Sequence, residues 1–323
     1  MNILVVYNPN AGKGKALRHA QKLEHALLRH CGTITKFPAS SLEIMSNFWR
    51  ENAGNPKNFD AVALIGGDGT VGPNVDAMIK NNFSAPIYCY GRGTANDFAS
   101  YFKTNCSPRK AALAIKNLKT VEVNTLKIPT PSLRATPSPC EGEFSYAINV
   151  ACGGAFTNGV TQYNKKSKRW LGKGAYILHA FFTAFTLKAQ PMKYTVVTSD
   201  DGSSEQFELD TFLFYILNTK NVGGMKNAAP LADPSDDLLD LVVLKKCGLF
   251  GKISLKLNQS FKRIHRCKHV EYIQGKSFHV EHVSGHKIIN NFTATDLDGN
   301  AAEPYPLEVT LGPKIKVITR GAP

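Results

Sequence analysis

Short unbroken apolar runs alternate with segments of helical spacing from the N-terminus to about Thr120. Ile3–Tyr7 is a strand-length apolar run closed by Asn8-Pro9. Residues Lys15 to His30 follow, with Leu17, Ala20, Leu23 and Leu27 on one helical face. Phe59–Ile65 is a second apolar run, stopped by Gly66-Gly67, and Pro86–Tyr90 is a third, stopped by Gly91. Leu42–Glu51 and Pro108–Leu118 have helical patterns. Buried strands alternating with amphipathic helices predict a parallel sheet with helices on its faces.

The pattern changes near Thr120. Val121 and Val123 alternate with polar residues, as a half-buried strand does. Pro129, Pro131, Pro137 and Pro139 then exclude a helix over Pro129 to Glu143, which reads as an exposed loop. Lys193–Thr198, Thr211–Leu217, Leu238–Leu244, His269–Ile273 and Lys276–His282 have the pattern of antiparallel strands. Trp170–Leu187 is the helical exception. The spacing thus predicts an α/β domain over 1–122 and a β-rich domain over 123–310. The strand-like Lys314–Thr319 could belong to either, so 311–323 is a candidate to return to the first domain.

Composition narrows the partners. A chain of 323 residues with 43% hydrophobic residues has material for two globular cores. The formal net charge of +14 biases it towards polyanions: nucleic acid, nucleotide phosphates or an anionic membrane. The seven cysteines contain no CxxC pair and read as small buried hydrophobes, not as disulfides or a zinc site. No basic leader precedes the first strand, and no apolar run reaches the length of a membrane span. A cytoplasmic protein that visits membranes is expected. Its oligomeric state is not readable, and a homodimer is only the base-rate expectation.

Three segments carry candidate chemistry, each at the end of an apolar run. Asn8-Pro9-Asn10-Ala11-Gly12-Lys13-Gly14 leads into a helix, where bare backbone N–H groups can approach an anion. It lacks both GxxxxGK[ST] and GxGxxG, and alone it is also an ordinary strand-to-helix turn. Gly66-Gly67-Asp68-Gly69-Thr70 is more specific. Its three glycines suit close approach by phosphate, and Asp68 would face that phosphate through Mg²⁺. Gly93-Thr94-Ala95-Asn96-Asp97-Phe98-Ala99 places Thr94 where it could cap a helix or bind phosphate, and Asp97 adds a second acid.

Together these segments resemble the diacylglycerol kinase catalytic family, which includes sphingosine, ceramide and bacterial lipid kinases. The resemblance continues through Gly153-Gly154-Ala155-Phe156, Leu171-Gly172-Lys173-Gly174-Ala175-Tyr176, Asn218 with Gly223-Gly224, Ser235-Asp236-Asp237-Leu238-Leu239-Asp240 and Leu297-Asp298-Gly299. It implies a Rossmann-like ATP domain, a C-terminal β-sandwich and an active site in the cleft between them. It implies phosphoryl transfer from ATP to the hydroxyl of diacylglycerol or a related lipid, in phospholipid metabolism at a membrane surface. Asp298 is the inferred general base. Asn8, Asn10, Ala11, Gly12, Gly66, Gly67, Asp68, Gly69, Thr70, Gly93, Thr94 and Asn96 form the inferred nucleotide site, with Asp97 an additional acid. Asp233, Asp236 and the Leu238 carbonyl form an inferred structural Mg²⁺ site, and oxygen ligands on a short loop suit a hard cation.

The chain also departs from the family pattern. Gly72-Pro73 stands where Asn-Glu is usual, Asn124 and Asn300 replace acids, and Gly91-Arg92 replaces a Pro and a small residue. Retained activity with altered metal use or substrate is expected. Lys165, Lys166, Lys168 and Arg169 before the aromatic-rich Trp170–Leu187 suit a lipid contact or a core helix with a charged lead-in. Lys262, Arg263, Arg266 and Lys268 form a second basic run. The histidines, including His279 and His282, lack zinc spacing. Two rivals share parts of this pattern: an NAD-kinase-like phosphotransferase, and a weakened basic relative that binds membrane or nucleic acid. GTANDFA and the later motifs favour the lipid branch, with no nucleic-acid partner.

Overall fold

The fold comes from a computed structural model, which describes residues 1–10, 14–54, 58–130, 144–154, 188–198, 201–289, 292–301 and 305–320. In chain order the first elements are β1 (Asn2–Tyr7), α1 (Ala16–Leu27), β2 (Thr33–Pro38), α2 (Leu42–Glu51), β3 (Ala61–Gly66) and α3 (Asp68–Lys80). Then come β4 (Ile87–Gly91), α4 (Asp97–Tyr101), α5 (Pro108–Asn117), β5 (Thr120–Val123), β6 (Leu126–Pro129), β7 (Phe144–Ala147) and β8 (Val150–Gly154). The rest are β9 (Gln190–Val197), β10 (Ser204–Leu217), β11 (Leu239–Lys245), α6 (Leu249–Ser260), β12 (Val270–Gly275), β13 (Ser277–His282), β14 (Thr295–Leu297), β15 (Asn300–Ala301), β16 (Leu307–Leu311) and β17 (Ile315–Ile318).

The chain divides into two compact units. The first comprises Met1–Thr125, Tyr146–Ile148 and Gly312–Pro323. Its six-stranded sheet runs β2-β1-β3-β4-β17-β5. All neighbours are parallel except β5, which is antiparallel to β17. Alternation along β1 shows why the apolar runs are unbroken. Ile3 and Val5 pack with Leu23 and Leu27 of α1 and Ile115 of α5 on one face. Leu4 and Val6 pack with Trp49 of α2 and Val71 and Val75 of α3 on the other. Each such fully buried side chain contributes roughly 1.5–3 kcal/mol. Trp49 also donates its indole N–H to Asn74 Oδ1 at 3.0 Å, and Asn74 Nδ2 reaches back to Thr70 O at 2.8 Å. A buried indole thus steadies the first turn of α3.

The second unit comprises Leu126–Ser145 and Asn149–Leu311. Its sheet runs β15-β14-β8-β10-β9-β13-β16-β6-β7, with β11 and β12 branching from β10. The long strand β10 organises it. The first half of β10 pairs with β9, and the second half pairs with both β8 and β11. The register shift between Thr211 and Leu213 marks the change of partner. This is the α/β unit plus β-sandwich-like unit that the motifs imply. β17 joins the first sheet. Several described elements escape the apolar-run reading, among them β2, β7, β14, β15, β16 and α6. The Trp170–Leu187 helix, the basic cluster before it and most of the proline-rich loop lie outside the described residues.

Candidate functional site

The strands β1, β3 and β4 of the parallel sheet end at the three glycine-bearing motifs. At β1, the Asn10 N–H donates to Asn8 Oδ1 at 2.9 Å, closing a turn on the strand end. Ala11 and Gly12 lie outside the described residues. Gly66 ends β3, and Gly67 is the N-cap of α3. The Thr70 side chain packs on Gly66, and Asp68 occupies the first turn of α3. At β4, the Arg92 N–H donates to Gly66 O at 2.6 Å, so the second and third motifs are tied backbone to backbone. They also pack against each other at Gly67 and Gly93. A Cβ on Gly93 would lie 2.4 Å from Gly67 Cα, which no side chain tolerates.

Asp68 supplies the second tie. Its Oδ2 accepts from the Asp97 N–H at 3.1 Å and its Oδ1 from the Phe98 N–H at 3.3 Å. The carboxylate therefore satisfies the first two amides of α4, where negative charge is favoured. This corrects the expectation that Thr94 could cap that helix. The N-cap position belongs to Asn96, in left-handed conformation with φ 55°. Its side chain folds back instead, accepting from the Gly93 N–H at 2.6 Å and donating to Gly93 O at 3.0 Å. A remote carboxylate does the capping, a partner that sequence spacing cannot reveal.

Asp298 sits in a different frame. β14 and β15 pair through Leu297 and Asn300, leaving Asp298-Gly299 as a two-residue hairpin turn. Both turn residues have positive φ, 51° and 86°, the conformation Asp-Gly adopts in such turns. The turn is pinned from below, since the Gly299 N–H donates to Asp296 Oδ1 at 2.7 Å. Asp298 is only 4% exposed. Its Oδ1 accepts from the consecutive Asn149 and Val150 N–H groups, both at 3.0 Å, and its own N–H donates to Val150 O at 3.1 Å. Asn149 is held in turn: its carbonyl accepts from the Asn218 N–H at 2.9 Å, and its Nδ2 donates to Asn221 O at 3.0 Å. Burial raises the neighbouring Cys152 thiol well above its usual range, and the Asp296 and Asp298 charges add to that.

A family model described as the diacylglycerol kinase catalytic domain matches residues 2–128. A second, the YegS C-terminal NAD kinase beta sandwich-like domain, matches residues 154–319, more than half of the chain. The chain belongs to the diacylglycerol kinase family of lipid kinases. It is 27% identical over 252 residues to the diacylglycerol kinase of Bacillus subtilis, covering 76% of this chain and 74% of that protein. It is 24% identical over 266 residues to the diacylglycerol kinase of Staphylococcus saprophyticus, covering 76% and 73%. A solved Bacillus anthracis diacylglycerol kinase shares the fold at TM-score 0.66 and 17% identity, covering 98% of this chain and 96% of that one.

In this kinase the inferred Mg²⁺ loop precedes β11. Asp233 Oδ1 accepts from the Ser235 N–H at 3.1 Å and its hydroxyl at 2.6 Å, and Asp236 Oδ1 accepts from the Leu238 N–H at 3.0 Å. Burial raises the Asp236 carboxyl above its usual range, and the Asp233 and Asp237 charges push it further. Asp240, two residues past Leu238, is buried, and its Oδ2 has no hydrogen-bond partner. Burial, with the Asp236 charge added, pushes its carboxyl up to about 7 despite the bond that Tyr272 donates to Oδ1. Crowded carboxylates with an unsatisfied buried oxygen fit a hard cation nearby. Among the described residues no three His, Cys, Asp or Glu side chains form a metal cluster. Asp233 and Asp236 would be completed by carbonyl oxygens, such as that of Leu238, and by water.

The departures from the family pattern have distinct settings. Arg92 turns away from the motif edge. Its guanidinium lies 3.7 Å over the Tyr90 ring and donates to the Gly91 and Cys106 carbonyls. Pro73 lies inside α3, Asn124 is buried, and Asn300 is exposed at the hairpin. Sequence reasoning missed Asn149 and Val150, whose N–H groups hold Asp298, and Asp296, which holds the next residue of the turn. The Asn-Val pair that turns into β8 was the one available signal.

Proposed function

We propose that this enzyme transfers the γ-phosphoryl group of ATP, with Mg²⁺, to a lipid hydroxyl, and that diacylglycerol is the first acceptor to test. The observation that carries the reading is the holding of Asp298. Two consecutive backbone amides converge on one of its oxygens, in a tight turn that fixes its position. A carboxylate oriented in this way is suited to accept the proton of an attacking hydroxyl.

ATP supplies the phosphoryl group and Mg²⁺ offsets its charge. The chain's own part is to bind and to position. Gly67, Gly69, Thr70, Gly93 and Asn96, with Asn8 and Asn10, would line the phosphates with backbone N–H groups and small side chains. Asp68 keeps that edge in register by holding the first turn of α4, and Asp97 stands next to it as a further acid. Asp233, Asp236 and the Leu238 carbonyl would hold a structural Mg²⁺ in the second unit. The lipid branch is favoured over an NAD-kinase-like activity by the catalytic-domain match and by relatives named diacylglycerol kinase.

The test is transfer of labelled γ-phosphate from ATP to a panel of diacylglycerol, phosphatidylglycerol, a sphingoid base and a polyprenol, read in the organic phase, with NAD as a separate acceptor read in the aqueous phase. Label in one of these lipids is the expected result. Label only in NAD, or none with any acceptor, would overturn the reading.

A further inference from the structure

Helix α6 carries two apolar stripes where a surface helix needs one. Its inner face includes the buried Gly251 and Leu255, which packs on a cluster containing Val150, Leu217 and Ile264. The fit is close there, because a Cβ on Gly251 would lie 2.6 Å from Cys247 Cβ. The outer stripe is Phe250, Ile253 and Leu257, continued by Phe261 just past the helix. These positions are three, four and four apart, which places them on one face. Phe250 is 86% exposed and Phe261 70%, and Ile253, Leu257 and the adjacent Leu249 are exposed as well. A contiguous apolar face of this kind marks an interaction surface.

Charge identifies the partner. Residues 246–270 contain seven Lys and Arg and no Asp or Glu. Lys256 lies beside the stripe, and Lys262, Arg263, Arg266 and Lys268 follow it, all exposed. We propose that α6 and the basic segment behind it form a docking surface for an anionic lipid bilayer. Phe250, Ile253, Leu257 and Phe261 enter the acyl boundary, and the cations meet the headgroups. A helix of 12 residues is about 18 Å long, too short to cross a bilayer, so it lies in the interface plane. A second copy of the chain fits less well, because joining two stripes would set like-charged segments against each other. The inner face of α6 shares its apolar cluster with Val150, whose N–H holds Asp298. Docking helix and proposed base are thus carried on one core. The inference rests on the lipid-kinase reading for its purpose only, since docking is measurable without ATP.

The experiment is co-sedimentation of the full chain with vesicles of phosphatidylcholine alone and of phosphatidylcholine with phosphatidylglycerol. Binding to the anionic vesicles is expected, weakened by salt. Phe250→Ser with Phe261→Ser should lower it by about ten-fold or more at unchanged melting temperature, since both rings are exposed. Lys262→Glu with Arg263→Glu should lower it by at least about five-fold per cation lost from the surface. Wild-type binding by the phenylalanine variant, or no vesicle binding by the wild type, would overturn the proposal. So would a wild-type dimer that the phenylalanine variant dissociates, which would make the stripe a self-interface. Vesicle binding without phosphoryl transfer to any lipid would instead remove the kinase reading and leave the docking surface. Transfer to a soluble short-chain diacylglycerol without vesicle binding would do the reverse.

Discussion

Asp68 and Asp298 stand in different units, yet each is held by two consecutive backbone amides from a distant part of the chain. The difference lies in how. Asp68 spreads the two bonds over both oxygens and bridges to the first turn of α4. Asp298 receives both on Oδ1, from the turn that enters β8. A carboxylate with each oxygen committed to a helix start is a positioning residue. Asp298 is oriented by the two amides of a strand start, and the role proposed for it is proton transfer. The comparison teaches that two similar-looking Asp-Gly motifs are held in different ways, one bridging to a helix start and the other pinned to a strand start.

The variants that break this comparison differ in size. Asp298→Asn keeps an oxygen for both amides, so the fold should survive while turnover falls by about 10²–10⁴, the usual contribution of a general base. Circular dichroism beside a kinase assay checks it. Gly93→Ala forces the two motif backbones apart and should cost about 1–3 kcal/mol of stability, with nucleotide affinity falling in parallel. Thermal melts with and without ATP read both. Asp68→Ala uncaps α4 and should cost about 0.5–2 kcal/mol, raising KM for ATP more than it lowers kcat. Asp68→Asn should recover part of the loss, because one acceptor remains.

Asp240 sharpens the contrast from another side. Burial pushes its folded carboxyl up to about 7 from the ordinary 3.8, so the folded state binds more protons between those values. Stability conferred on the protonated form is therefore lost as pH rises through that window. Asp240→Asn should flatten this dependence, and millimolar Mg²⁺ should reduce it in the wild type, both visible in melting temperatures from pH 4 to 8. The smallest effect belongs to Asn300, which is exposed. If its replacement of an acid alters metal use, Asn300→Glu shifts the Mg²⁺ concentration for half-maximal activity. An unchanged Mg²⁺ curve would show that this departure is silent.

Much of the first unit was legible because its strands are buried on both faces. Ile3–Tyr7 and Leu42–Glu51 give apolar runs and helical spacing that need no knowledge of partners. β2 was not, because Thr33–Pro38 is an edge strand with one face turned to water and few apolar residues. α6 was not, because its two apolar stripes and its glycine blur a single period. The fate of the last strand was open, since a strand pattern does not name its neighbour; pairing with β4 and β5 decides it. The glycine and aspartate motifs marked the candidate site, but their holders could not be read. Asp68 finds its amides about thirty residues away, and Asp298 finds its own 149 and 148 residues away. Such contacts belong to the tertiary fold.

The most direct test of the central claim compares wild type and Asp298→Asn for labelled phosphate transfer to diacylglycerol, with ATP binding measured on the same samples. Label in the wild type, lost in a variant that folds and binds ATP normally, is the predicted result. Equal label in both proteins would contradict the role of Asp298 as the base.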